Sequence, residues 1–303
     1  MLDRKEMPEN PRGLTLLLHT ILCLVGMVLL TSVSMGLLTR YFGLDLSGAE
    51  GPMASPDDRM ELRLILLINN LGTWGIPAIL ALWLSFGPKW TAAAGLVRPR
   101  HPSLIGNSIL IFLFGIPLVA LAAYLNLQLD LPEWMVQSEE QSNAVLASVL
   151  RIESEMELVV ALLTVAVIPA VAEELMFRGL LQGQLLRRIM SETAAIWAAA
   201  AIFSAIHLEF AGFFPRLLLG ALLGYSYRWT GSLLIPLVLH FLFNGLQVVN
   251  TYVAGEFVPD TEMDAQFGTL VIAGAISLLI VLYLGNRNER QLGIASQPPA
   301  DSR

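Results

Sequence analysis

Three short runs in the second half of the chain hold side chains that could do chemistry. Residues 171–181, VAEELMFRGLL, place Glu173, Glu174 and Arg178 in a run otherwise apolar enough to span a bilayer. Residues 202–210, IFSAIHLEF, put Phe203 four positions before His207, and LIPLVLHFLFNGL puts His240 four before Asn244. One carboxylate or guanidinium at the centre of a membrane helix costs about 2.5 to 3.5 kcal/mol on insertion scales, so three within six residues need a reason beyond packing. On a helix, Glu174 and Arg178 stand at i and i+4 with the acid first, the favourable order for an ion pair. Glu173 lies about 100° further round the axis and keeps its carboxylate for another partner. A carboxylate in a low-dielectric cavity is moved by desolvation toward the range of a general base. A histidine opposite it could hold the same water, and His240 with Asn244 could donate to an oxyanion forming on a carbonyl. That set describes amide hydrolysis without a covalent intermediate. A serine nucleophile is a weaker reading, since no GxSxG turn occurs and Ser204 suits helix packing.

The elements that must position these groups are membrane helices. The chain has 303 residues, 55% hydrophobic and 14% charged, with mean hydropathy +0.65, against about a quarter charged in ordinary soluble domains. Net charge is −7, which argues against a nucleic-acid partner. The single cysteine, Cys23, can form no intrachain disulfide, and the four histidines show no zinc-finger spacing. His19 and His101 fall near a span end and in a loop, where a solvated or interfacial histidine is the ordinary case. The basic N-terminal segment precedes an apolar run too long for a signal peptide and without a small-residue cleavage site, so it reads as a retained first span.

Eight apolar segments reach or approach the length needed to cross about 30 Å of hydrocarbon: 13–39, 62–86, 103–127, 157–184, 193–210, 213–230, 232–252 and 267–285. The fold class expected is therefore all-α and polytopic, with an intramembrane cavity. If the N-terminus is cytoplasmic, twelve of the eighteen Lys and Arg residues fall on that side, five on the other, and Arg178 inside a span. That bias predicts both termini in the cytoplasm, in a cell (inner) membrane. The outer loops 45–61, 130–157 and 256–264 are longer and acidic, and the second predicts a surface helix, either a lid or docking helix or a solvated connector. Gly220 and Gly224 predict close helix packing, and the tail from residue 294 is polar and expected to be disordered.

The order EExxxR (Glu173, Glu174, Arg178), FxxxH (Phe203, His207) and HxxxN (His240, Asn244) resembles the CPBP family, the CAAX protease and bacteriocin-processing intramembrane proteases. Each motif alone is weak, but the three in order, each on a span, are specific. The resemblance covers roughly residues 155–250. It divides the chain into an N-terminal membrane region, 1–154, with three spans; a catalytic core, 155–252; and a final span with a polar tail, 253–303. It implies an endopeptidase acting on a membrane-associated, prenylated protein or peptide, with Glu173 and His207 activating water and His240 and Asn244 forming the oxyanion hole. Glu174, Arg178 and Phe203 would be supporting groups. No cofactor is expected; the alternative is zinc held by Glu173, His207 and His240, although no HExxH is present. The rival classes are a proton-coupled transporter, for which no inverted repeat is evident, and a non-catalytic immunity or scaffold protein, which would gain nothing from holding all six polar groups.

Overall fold

A computed structural model describes residues 11, 13–42, 55–257 and 266–295. Much of the first and third outer loops, the basic N-terminal segment and the tail from residue 296 lie outside the described residues. The regular structure among those described is all helical, with no strand. In chain order the helices are α1 (Gly13–Phe42), α2 (Pro56–Ala93), α3 (Pro102–Leu127), α4 (Glu133–Leu150), α5 (Glu155–Arg188), α6 (Glu192–Ala205), α7 (Phe213–Thr230), α8 (Leu234–Ala254) and α9 (Phe267–Ala295).

Six of them, α1, α2, α3, α5, α8 and α9, are long and apolar enough to cross a membrane. The other two expected spans differ for physical reasons. The segment expected at 193–210 is helical only over the 14 residues of α6, about 21 Å at 1.5 Å per residue and short of the hydrocarbon thickness. α7 carries Arg216 and Arg228 near its two ends, which lowers its mean hydropathy. Both helices nevertheless sit in the bundle, α6 on α7 and α7 on α3, with α9 packed on α3 and meeting α7 through Glu289, which accepts from Arg228 and Trp229. Large side chains on α1 and α9, such as Leu22, Leu29, Ile272 and Leu279, point outward, as surfaces bathed in lipid require.

Local sequence explains where the helices begin and bend. Ser55, Ser154 and Ser191 cap α2, α5 and α6, their hydroxyls accepting from Asp58 N, Glu157 N and Ala194 N. Gly231, at φ 63°, closes α7 in the left-handed conformation, its N–H on Tyr227 O. Pro77 and Pro169 each follow a π-helical turn, Leu71–Gly75 in α2 and Leu162–Val167 in α5. Each proline has no N–H to offer the turn before it, whose last bonds, Ile76 N–H to Leu71 O and Ile168 N–H to Leu163 O, run in the wider register. In α5 the turn faces α8, where Asn244 meets Val165 O.

At the end of the bundle where α2 and α5 begin, two arginines are fully buried. Arg59 and Arg63 both donate to Glu157, and Arg63 also to the carbonyls of Val149 and Arg151. This pins α2, α4 and α5 together. The α4 segment, expected as a surface helix, is a helix and packs on the bundle through Leu146 and Leu150 against Val248. At the opposite end, Arg100, Arg187, Arg188 and Arg228 line one cavity of about 880 Å³ with Glu192 and Glu289.

Candidate active site

The three motifs meet around one aromatic ring. The acidic pair straddles a change of helix type: Glu173 closes an α-helical segment and Glu174 opens the π-helical run Glu174–Leu185. Glu174 is fully buried and Arg178 1% exposed, and they form the expected ion pair, Nη1 to Oε1, at 2.5 Å. The guanidinium also donates to Gly220 O at 3.0 Å and lies 5.0 Å over the Phe203 ring. Gly220 also lets α6 and α7 approach closely, since a Cβ there would lie 3.1 Å from that of Ala200. Gly224 does the same one turn on, where Gln182 donates to its carbonyl. The small-residue packing expected at both glycines is present.

His240 joins the two acids. Its Nδ1 lies 2.9 Å from Glu174 Oε1 and its Nε2 3.9 Å from Glu173 Oε2. Glu174, ion-paired to Arg178, offers an acceptor, so Nδ1 carries the hydrogen. Glu174 therefore holds both Arg178 and His240, more than the supporting contact with Arg178 alone that the spacing predicts. Glu173 is 7% exposed, and its one hydrogen bond is to Asn70 Nδ2, at 3.2 Å to Oε1. Oε2 keeps no partner at bonding distance.

His207 is not on a helix. α6 ends at Ala205, and His207 lies in the following turn, just before Leu208 at φ 56°, a strained conformation for a branched side chain. The i, i+4 contact with Phe203 survives: the rings stand 4.8 Å apart edge to face, and His207 Nδ1 is 2.7 Å from Phe203 O. A carbonyl only accepts, so Nδ1 donates and Nε2 is left with its lone pair. His240 touches the same ring, its centroid 6.2 Å away. The two imidazoles are thus related through Phe203, and no direct bond joins His207 to Glu173. The turn is held from outside. Asn126 of α3 donates to Phe210 O and accepts from Phe214 N, both at 2.9 Å; Glu139 of α4 accepts from Ala211 N; and Trp134 packs edge to face on Phe210. Ser204 donates to Phe213 O, a packing contact as its position predicts.

Asn244, one turn along α8 from His240, donates to Val165 O at 3.2 Å. Val165 stands four residues before Pro169, which has no N–H to compete for that carbonyl. The amide's second hydrogen is not used in that bond. The motifs did not point to Asn70, but one signal did: INNLG places two adjacent asparagines inside an apolar span, where polar residues are costly.

The zinc alternative finds no ready donor set. Among the described residues, no three of His, Cys, Asp and Glu stand close enough together to share a metal ion. Glu173, His207 and His240 are not drawn into one donor set, since His207 and His240 meet different parts of the Phe203 ring, although the bonded Nδ1 atoms leave Nε2 open in both.

Comparison with known proteins agrees with the motifs. Residues 155–246 match the family model described as type II CAAX prenyl endopeptidase Rce1-like. A Bacillus subtilis (strain 168) protein described as uncharacterized protein YpbD is 33% identical over 81 residues, 25% of this chain. The matched part is 38% of that relative's length. No solved structure matches the chain.

Proposed function

We propose, for a chain that is Rce1-like over residues 155–246, an intramembrane endopeptidase that cleaves a membrane-associated, prenylated protein with a glutamate-activated water. The observation that carries the reading is the division of labour between adjacent acids. Glu174, fully buried, is neutralised by Arg178 and holds His240 through Oε1, its Oε2 closed off without a partner, while Glu173 meets no arginine, is 7% exposed, and has Oε2 unbonded beside His240 Nε2. A free carboxylate oxygen next to an imidazole in a dry site is what water activation needs.

In this mechanism Glu173 Oε2 takes a proton from water as the water oxygen bonds to the scissile carbonyl carbon. His207, with Nε2 as acceptor, steadies the same water. The oxyanion receives hydrogen bonds from Asn244 and from His240 when Nε2 is protonated. Glu173 then returns its proton to the amide nitrogen, the C–N bond breaks, and the products are a carboxylate and an amine. Every step uses side chains of residues 155–252, which we take as the catalytic core, and none requires a metal. We place the arginine-rich end of the bundle, with both termini, in the cytoplasm of a cell (inner) membrane, following the excess of basic residues there.

The test uses the full chain in detergent or nanodiscs with a farnesylated peptide and its unmodified counterpart, cleavage being read by mass spectrometry. Cleavage near the C-terminal end of the farnesylated peptide is expected, unaffected by chelator and lost in Glu173→Gln. Activity that falls on chelation and returns with zinc would overturn the metal-free mechanism. Full activity in Glu173→Gln would overturn the assignment of the base, and substrate flux without cleavage would overturn the protease.

A further inference from the structure

The second helix brings to the site a side chain that no motif contains and that lies outside the segment matched to the family. Asn70 is the residue immediately before the π-helical turn Leu71–Gly75 of α2. Its Nδ2 donates to Glu173 Oε1 at 3.2 Å. The amide is usable one way round only: turned over, Oδ1 would face Oε1 at that distance, oxygen against oxygen. In the orientation that bonds Glu173, Oδ1 is buried with no hydrogen-bond partner. An apolar side chain of similar shape would avoid the cost of that orphaned oxygen, and buried orphans in a native fold call for an explanation.

The backbone around Asn70 supports the same reading. One turn on, Gly75 lies so close to α5 that a Cβ there would stand 3.2 Å from the Cβ of Ala172, the residue before Glu173. The two helices are therefore in contact at this level, and the π turn, a device frequent at functional sites, sets the direction in which Asn70 leaves α2.

We propose that Asn70 is a positioning residue for Glu173: by tethering Oε1 it fixes the plane of the carboxylate, so that Oε2 faces His240 Nε2 and the space left for water. The role rests on the reading of Glu173 as the base. It assigns the N-terminal region a direct part in the reaction, through a residue that acts on the base and not on the substrate.

The experiment compares wild type, Asn70→Leu, Asn70→Gln and Glu173→Gln on the farnesylated peptide, with kcat and KM measured per folded molecule and thermal unfolding followed in parallel. Asn70→Leu should lower kcat about 10- to 100-fold, the scale of a misplaced catalytic group, with KM within about twofold. Its unfolding temperature should stay close to that of wild type, because the orphaned Oδ1 is removed while Glu173 Oε1 loses its donor. Asn70→Gln, which keeps the amide, should recover part of kcat. A merely structural role predicts the opposite, a lower unfolding temperature with kcat per folded molecule unchanged. The proposal is overturned by kcat in Asn70→Leu within twofold of wild type, or by a loss confined to KM. Should Asn70→Leu fail to fold, unchanged kcat in Asn70→Gln overturns it, and a lowered kcat at constant KM supports it. An inactive Glu173→Gln beside a fully active Asn70→Leu removes this role alone. An active Glu173→Gln removes the base and this role with it.

Discussion

Arg178→Met isolates the energetic unit at the centre of the site. In wild type the guanidinium, 1% exposed, neutralises a carboxylate that is fully buried and bonded to it at 2.5 Å. Removing one member of a buried ion pair leaves the other as an uncompensated charge, which costs about 3 to 5 kcal/mol. Here Glu174 retains His240 at 2.9 Å, which places the loss toward the lower end, about 3 kcal/mol. At about 2 °C per kcal/mol for a chain of this size, the unfolding midpoint should fall by roughly 6 °C. Adding Glu174→Gln removes the charge while keeping an oxygen that accepts from His240 Nδ1. What then remains is the lost contact with Gly220 O and with the Phe203 face, about 1 to 2 kcal/mol. The double variant should therefore unfold some 2 to 4 °C above Arg178→Met. The assay is thermal unfolding in one detergent for both variants and for Glu174→Gln alone, analysed as a double-mutant cycle. A double variant less stable than Arg178→Met, or single losses that simply add, would refute the claim that the pair behaves as a coupled unit.

Two further predictions concern the surroundings of the site. Pro169→Ala supplies an N–H that competes with Asn244 for Val165 O, so kcat should fall about 10-fold while the unfolding midpoint holds or rises; unchanged kcat would show that the proline does not set Asn244. Burial pushes the Glu139 carboxyl above the ordinary range, with the Ala211 N–H acting the other way. A raised folded-state value means that its contribution to docking α4 is fully present below the unfolded carboxylate range and lost as pH rises through the folded value. Trp134 emission, which reports the contact with Phe210, should therefore shift over that window in wild type and stay flat in Glu139→Gln; an identical shift in the variant would assign the change to another group.

The acid pair, its arginine and the shared ring were legible in the sequence because helical spacing alone brings i and i+4 side chains together. Glu174 meets Arg178, and Phe203 meets His207, for that reason. What spacing could not show was tertiary. The placing of Asn70 on Glu173 depends on how closely α2 and α5 approach, which Gly75 and Ala172 decide. The second partner of Glu174, His240, arrives from a helix 66 positions away. His207 was assigned to a helix because IFSAIHLEF is continuous in hydropathy. The break after Ala205 is made instead by Asn126, Glu139 and Trp134, contacts from α3 and α4 that no local pattern encodes. The eight expected spans followed from apolar length, and the same measure misjudged α6, whose helix stops where that turn begins.

The buried charge cluster at the start of α2 bears on how the chain is made. Arg59 and Arg63 precede their acid, Glu157, by 98 and 94 residues. At a synthesis rate of about 5 to 20 residues per second, the two arginines leave the ribosome roughly 5 to 20 s before that carboxylate exists. During that interval α2 cannot settle at its final depth with its guanidiniums desolvated, and an insertase or the aqueous surface of the bilayer must hold its first turns. The arrival of α5 then does two things in one step: it neutralises α2 and carries Glu173 to Asn70. Biogenesis and assembly of the site are therefore a single event, and a nascent chain stalled before residue 157 should expose the first turns of α2 to a protease that the completed protein resists.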